Sequence, residues 1–105
     1  MNMEYLKNLA FKNRIAFKRH TLLRMYQRNI RAVEIKEILQ QGQILEKYPT
    51  DKPLPTALLM GYTSSQRPLH VVVALDEAEE WIWIITVYEP DKTKWEEGFR
   101  KRRPT

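Results

Sequence analysis

Two histidines occur in this chain, His20 and His70, and each stands near other groups able to handle a proton or a phosphate. His20, Arg24 and Arg28 recur every fourth residue. On a helix that spacing advances only about 40° per step, so the three side chains form one polar stripe. A row of cations can grip successive phosphates, or clamp one phosphate beside a proton-transfer group. His70 lies in the apolar run Pro68-Leu69-His70-Val71-Val72, and Thr86 and Tyr88 lie in Ile85-Thr86-Val87-Tyr88. Imidazole and phenol are both used for general acid–base chemistry. Taken singly these residues are ordinary, since a lone histidine is at home in a core and Thr and Tyr are common strand formers. As a set they point to phosphodiester chemistry without a metal.

The elements that must position them can be read from the apolar period. Met3, Leu6, Leu9 and Ala10 suggest an opening helix over Met3–Lys12, followed by a candidate edge strand at Ile15-Ala16-Phe17. From Thr21, a suitable N-cap, Leu22, Leu23 and Tyr26 form an apolar stripe on a helix that should stop near Asn29. Ala32–Gln41 is helical in period and is followed by Gly42. After Gly42 the period becomes that of strands: Gln43–Tyr48, Thr56–Tyr62, Leu69–Leu75 and Trp81–Tyr88, with a proline-rich loop over Pro49–Pro55. The fold class expected is α+β, with N-terminal helices on an antiparallel β-sheet of about four strands, in a single domain over residues 1–105. Lys94–Arg102, with Trp95 and Phe99 four apart, suggests a last helical turn.

The short Asp76–Glu80 connection makes the last two strands an antiparallel hairpin. Pairing Leu75 with Trp81 and counting back sets His70 opposite Thr86. Alternation along the strand then adds Tyr88 to the same face. A slip of one residue would break this convergence.

The formal net charge is +5. Its distribution says more, because no Asp or Glu occurs between Tyr5 and Val33 while eight Lys and Arg residues do. A second cationic block, Arg100-Lys101-Arg102-Arg103, lies near the C-terminal end, and acidic residues gather at Asp76–Glu80 and Glu89–Glu97. Such segregation favours a phosphate-bearing partner over a uniformly solvated surface. With no cysteine, neither a disulfide framework nor a thiolate metal site is possible. No apolar run approaches the roughly 20 residues of a membrane-spanning helix, and the first residues lack a signal-peptide pattern, so a cytoplasmic location is expected. The three glycines form no phosphate loop, no His/Cys/Asp/Glu cluster has zinc spacing, and Ser64-Ser65 lacks a nucleophile-elbow context. No cofactor or metal is expected.

The ordered set His20-x3-Arg24-x3-Arg28-x-Ile30, Val33, the Gly42–Tyr48 strand, Pro68–Val72, Ile85–Tyr88 followed by Pro90-Asp91, and Trp95 resembles a family of small bacterial proteins catalogued as a domain of unknown function. That family is grouped with RelE-like and BrnT-like toxins of toxin–antitoxin systems. The resemblance spans about Ile15 to Arg102. It implies helices packed on an antiparallel sheet and a metal-independent endoribonuclease that acts by attack of the ribose 2′-hydroxyl on the adjacent phosphate. It also implies RNA and a cognate antitoxin as partners. Carried onto this chain, it makes His20 and His70 candidates for base and acid, with Arg24, Arg28 and Arg102 stabilising the phosphorane charge. Tyr88 orients the phosphate or replaces one of the pair. Arg28, Thr86, Arg100 and Arg102 are then candidates for substrate binding. The alternative is a non-catalytic basic RNA- or protein-binding module using the same surface.

Overall fold

Three helices and five strands follow one another in a computed structural model that describes residues 1–104. The order is α1 (Met3–Phe11), β1 (Ile15–Phe17), α2 (Arg19–Gln27), α3 (Ala32–Gln41), β2 (Gln43–Tyr48), β3 (Thr56–Tyr62), β4 (Pro68–Asp76) and β5 (Trp81–Tyr88). Each of the first two helices ends where an asparagine takes a left-handed conformation, Asn13 after α1 and Asn29 after α2. Asparagine tolerates that region better than other side chains. Gly42 caps α3 for a different reason. Its φ is −85°, but a Cβ there would lie 2.6 Å from the Ile38 carbonyl oxygen and 2.7 Å from that of Met60.

The sheet order is β1-β5-β4-β3-β2. Strands β2 to β5 are antiparallel neighbours, while β1 lies parallel to β5. The sheet is therefore mixed and has five strands, where a purely antiparallel one of about four was expected. Ile15–Phe17 is the added edge, and its parallel setting follows from the crossover through α2, α3 and β2–β4 before the chain returns as β5.

Alternation sorts the strands onto two faces. Leu59 of β3, Leu69, Val71 and Val73 of β4, and Ile82 and Ile84 of β5 are buried beneath Leu6 and Leu9 of α1 and Ile35, Ile38 and Leu39 of α3. The opposite face carries Met60, His70, Val72, Ala74, Trp83, Thr86 and Tyr88, away from the core cluster that α1 and α3 share with the sheet.

Three expectations are corrected. Thr21 lies inside α2 instead of capping it, and the N-cap is Lys18, without a side-chain cap. Leu22, Leu23 and Tyr26 do not face the core: they are 50%, 54% and 86% exposed, while Thr21 and Met25 are the buried residues of α2. The helix lies at the edge of the sheet beside β5, so a narrow strip suffices to attach it. Lys94–Arg102 forms neither helix nor strand but a turn closed by an isolated bridge between Trp95 and Arg102.

Candidate functional site

The parallel strand β1 pairs only with Ile82–Ile84, which leaves the outer edge of β5 uncovered beyond that point. Helix α2 takes over there. A β-bulge at Ile85 interrupts the pairing between Val73–Ile84 and Val72–Thr86. The buried hydroxyl of Thr21 lies 3.0 Å from the carbonyl oxygens of both Ile84 and Ile85 and shares its one proton between them. At the other end of α2, Arg28 Nη1 donates to the Val87 carbonyl at 2.8 Å and lies 3.4 Å from Thr86 Oγ1.

The bulge decides which side chains meet His70. The closing pair of the hairpin is Asp76–Trp81, one step from the Leu75–Trp81 pairing expected, and the bulge adds a second step. His70 consequently faces Tyr88, and Thr86 faces Val72. The expected His70–Thr86 opposition is corrected, yet two single-residue shifts restore parity and leave His70, Thr86 and Tyr88 on one face. Without the bulge His70 would oppose Val87, a core residue.

His70 is fully buried. Its Nε2 lies 2.8 Å from the Phe99 carbonyl oxygen, which can only accept, so this nitrogen carries the proton. The neutral ring then offers the Nδ1 lone pair to the Tyr88 hydroxyl, 3.4 Å away in a weak contact. Burial lowers the His70 pKa below its usual value, and the nearby Arg102 charge acts in the same sense, against the Phe99 hydrogen bond and Glu46. Burial also raises the pKa of the half-buried Tyr88 phenol, as Glu46 does, against the charges of Arg102 and Arg28. At neutral pH the pair is a protonated phenol beside a neutral imidazole of defined tautomer.

The Trp95–Arg102 turn covers His70. The Trp95 ring meets the imidazole edge-on at 4.4 Å, and Arg102 stacks 4.6 Å from the Trp95 ring centre while pairing with Glu46 at 3.8 Å. His70, Tyr88, Thr86, Arg28 and Arg102 therefore gather at one end of the open face. His20 and Arg24 stand apart from that cluster. Both are exposed on α2, and among the described residues their one side-chain hydrogen bond is from Arg24 to Gln27 at 3.4 Å. His20 lies about 12 Å along the helix from Arg28. Arg100 is also exposed and borders a different cavity, with Gln41, Tyr62 and Ser64. Among the described residues no group of three or more His, Cys, Asp or Glu could hold a metal ion, and no helix is long and apolar enough to cross a membrane.

Residues 17–89, well over half of the chain, match the family described as Domain of unknown function (DUF4258). The chain belongs to this family. Searches of curated proteins and of solved structures found no match. The DUF4258 segment runs from the end of β1 to just past β5, so it holds the α2 stripe, His70, Thr86 and Tyr88, while Trp95, Phe99 and Arg102 lie outside it.

Two residues that shape the cluster have no visible signal in the sequence. Arg67 clamps the C-terminal end of α2, donating to the carbonyls of Arg28 at 2.9 Å and Asn29 at 2.6 Å, and it pairs with Glu34 at 3.4 Å and Glu89 at 3.5 Å. A guanidinium at the negative end of a helix is favourable, and here it orients Arg28. Glu46 faces the cluster from β2, holding Arg102 and accepting a hydrogen bond from Tyr48. Both sit in segments that read as a turn and a generic strand, so only their tertiary neighbours reveal them.

Proposed function

We propose that this protein is a cytoplasmic, RNA-directed toxin of the toxin–antitoxin kind that cleaves RNA without a metal, through the end of the open sheet face around Tyr88. One observation carries the reading: the protonated Tyr88 hydroxyl lies 3.4 Å from a buried neutral imidazole and feels the charges of two guanidinium groups, those of Arg28 and Arg102. Such a phenol can turn from its weak contact with Nδ1 and give its proton to the departing 5′-oxygen, while the ribose 2′-hydroxyl loses its own proton to water and attacks phosphorus. The products are a 2′,3′-cyclic phosphate and a free 5′-hydroxyl. Arg28 and Arg102 then stabilise both the charged phosphorane and the phenolate left behind. His70 acts as a positioning residue: the Phe99 carbonyl fixes its tautomer, and its Nδ1 holds the Tyr88 hydroxyl. His20, about 12 Å along α2 from Arg28, is out of reach of the linkage held at Tyr88, and Arg24 grips a flanking phosphate.

The protein partner in this reading is an antitoxin, and exposed Leu22, Leu23 and Tyr26 support it. Three large apolar side chains on one short helix, set among Lys18, Arg19 and Arg24, suit an acidic amphipathic segment.

The test uses a labelled single-stranded RNA with a chelator present. The wild-type chain should cut it, leaving cyclic phosphate ends, and Tyr88→Phe should lower the rate at least 100-fold, in the range general acid–base catalysis supplies, with binding retained. Uncut RNA together with normal growth on expression would end the enzymatic reading.

A second reading, a non-catalytic RNA-binding module, is favoured by the burial of His70 with both ring nitrogens engaged and by its separation from His20. It expects salt-dependent binding of the same RNA with no cleavage at any protein concentration.

A further inference from the structure

The open face has a concavity at the end of the sheet away from Tyr88, with a volume of about 300 Å³. Its floor is a row across three strands, Thr56 opposite Ala74 and Ala74 opposite Trp83. Pro53 and Leu54 of the β2–β3 loop wall one side, and the bulge residue Ile85 closes another. Lys18 and Lys52 stand at the rim.

The three tryptophans differ in what covers them. Trp81 lies under the guanidinium of Arg14, 4.1 Å from the ring centre, and Trp95 is held between His70 and Arg102. Trp83 has neither an aromatic nor a cationic partner among the described residues, and its cross-strand neighbours, Ala16 and Ala74, are both small. It is half-buried, so part of its indole borders the cavity. The ammonium groups of Lys18 and Lys52 form no ion pair among the described residues, and both side chains are exposed. An uncovered aromatic platform beside two unpaired cations is complementary to a flat ring that carries negative charge on a flexible link.

We infer that this cavity binds one nucleotide of a single-stranded RNA, with the base stacked on Trp83 and the flanking phosphates on Lys18 and Lys52. The inference rests on the RNA-directed reading above and names the form of RNA engaged. A base can lay its face on a side chain only when it is unstacked from its neighbours, so a duplex does not fit. Trp83 and Tyr88 lie on the same face of β5, separated by roughly 13 Å, the four steps of about 3.3 Å from Ala74 to His70 on the unbulged partner strand. The nucleotide held at Trp83 is thus near the phosphate at Tyr88 without being part of it, and it selects which linkage is presented there.

Affinity for a labelled ten-nucleotide single strand, and for the same sequence as a duplex, tests this across a range of salt. Trp83→Ala should weaken single-strand binding about tenfold, the loss of one stacked base. Trp83→Phe should stay within about threefold of wild type, because a smaller aromatic still stacks. The surface double variant Lys18→Ala/Lys52→Ala should flatten the dependence of log K on log salt by up to about two, one for each phosphate contact. Duplex affinity should be indifferent to Trp83. If Trp83→Ala, Trp83→Phe and the lysine variant all bind as wild type does while Arg24→Ala/Arg28→Ala loses affinity, the cavity is overturned and the RNA reading stands. Equal losses at Trp83 for single strand and duplex also overturn it. Failure of the wild type to bind either RNA overturns both.

Discussion

The two faces of the β4–β5 hairpin are built from alternate residues of the same strands and differ in almost every respect. Leu69, Val71, Val73, Ile82 and Ile84 point to one side and are sealed beneath α1 and α3. His70, Thr86, Tyr88 and Trp83 point to the other, where the Trp95–Arg102 turn shields only His70 and its surroundings. The helix-covered face is aliphatic and gains its stability from area removed from water. The open face is held by hydrogen bonds, ring contacts and the Arg102–Glu46 pair. Polar and aromatic groups on that side are the ones the proposed RNA contact would use, while the aliphatic side secures the strands that carry them.

The contrast can be broken most severely from the aliphatic side. Leu59→Ala, at a fully buried position, should cost about 2–5 kcal/mol in urea unfolding. The same experiment on Thr21→Val should show a smaller loss, about 1–2 kcal/mol, since two carbonyls at the bulge lose their shared donor. Because the bulge sets Tyr88 opposite His70, Thr21→Val should also disturb RNA cleavage, which no purely packing effect at Leu59 would do selectively.

A third measurement addresses the buried imidazole. His70 is neutral when folded and has a lowered pKa, whereas an unfolded chain protonates it near the ordinary value of about 6.5. The unfolded state therefore binds more protons below that pH, so the contribution of His70 is complete above pH 6.5 and is lost as pH falls toward the folded-state value. The stability difference between wild type and His70→Phe should change by up to about 1.4 kcal/mol per pH unit in that window. A difference that does not vary with pH would show that the ring is not held neutral. The smallest change is expected on α2, where Leu23→Ser and Tyr26→Ser should alter stability by no more than about 0.5 kcal/mol each. A larger loss would show that these exposed side chains pack against something within the chain.

Most elements are legible in the residue order itself. The helical period over Met3–Phe11 and Ala32–Gln41 reflects burial on one side, and the apolar runs of β3 and β4 reflect strands with buried residues on both faces, so each leaves a direct mark on the sequence. The cluster is legible only in part. That His70, Thr86 and Tyr88 share a face follows from alternation, but their pairing does not, because a four-residue turn and a bulge have no strong signature. Helix α2 is misleading on its buried side: Leu22, Leu23 and Tyr26 look like a core stripe, and hydrophobicity alone does not distinguish a face turned inward from one left for a partner.

The order of apolar and polar residues determined by itself that N-terminal helices accompany a sheet and that cations gather on α2. Those are local properties, set by period and composition within short stretches. Tertiary structure alone decided that β1 joins β5 in parallel, that Thr21 and Arg28 take the carbonyls β1 leaves free, and that the residues after Glu89 close over His70. These contacts join residues 29 to 67 positions apart, and their energies depend on where the backbone passes rather than on any pattern within one segment.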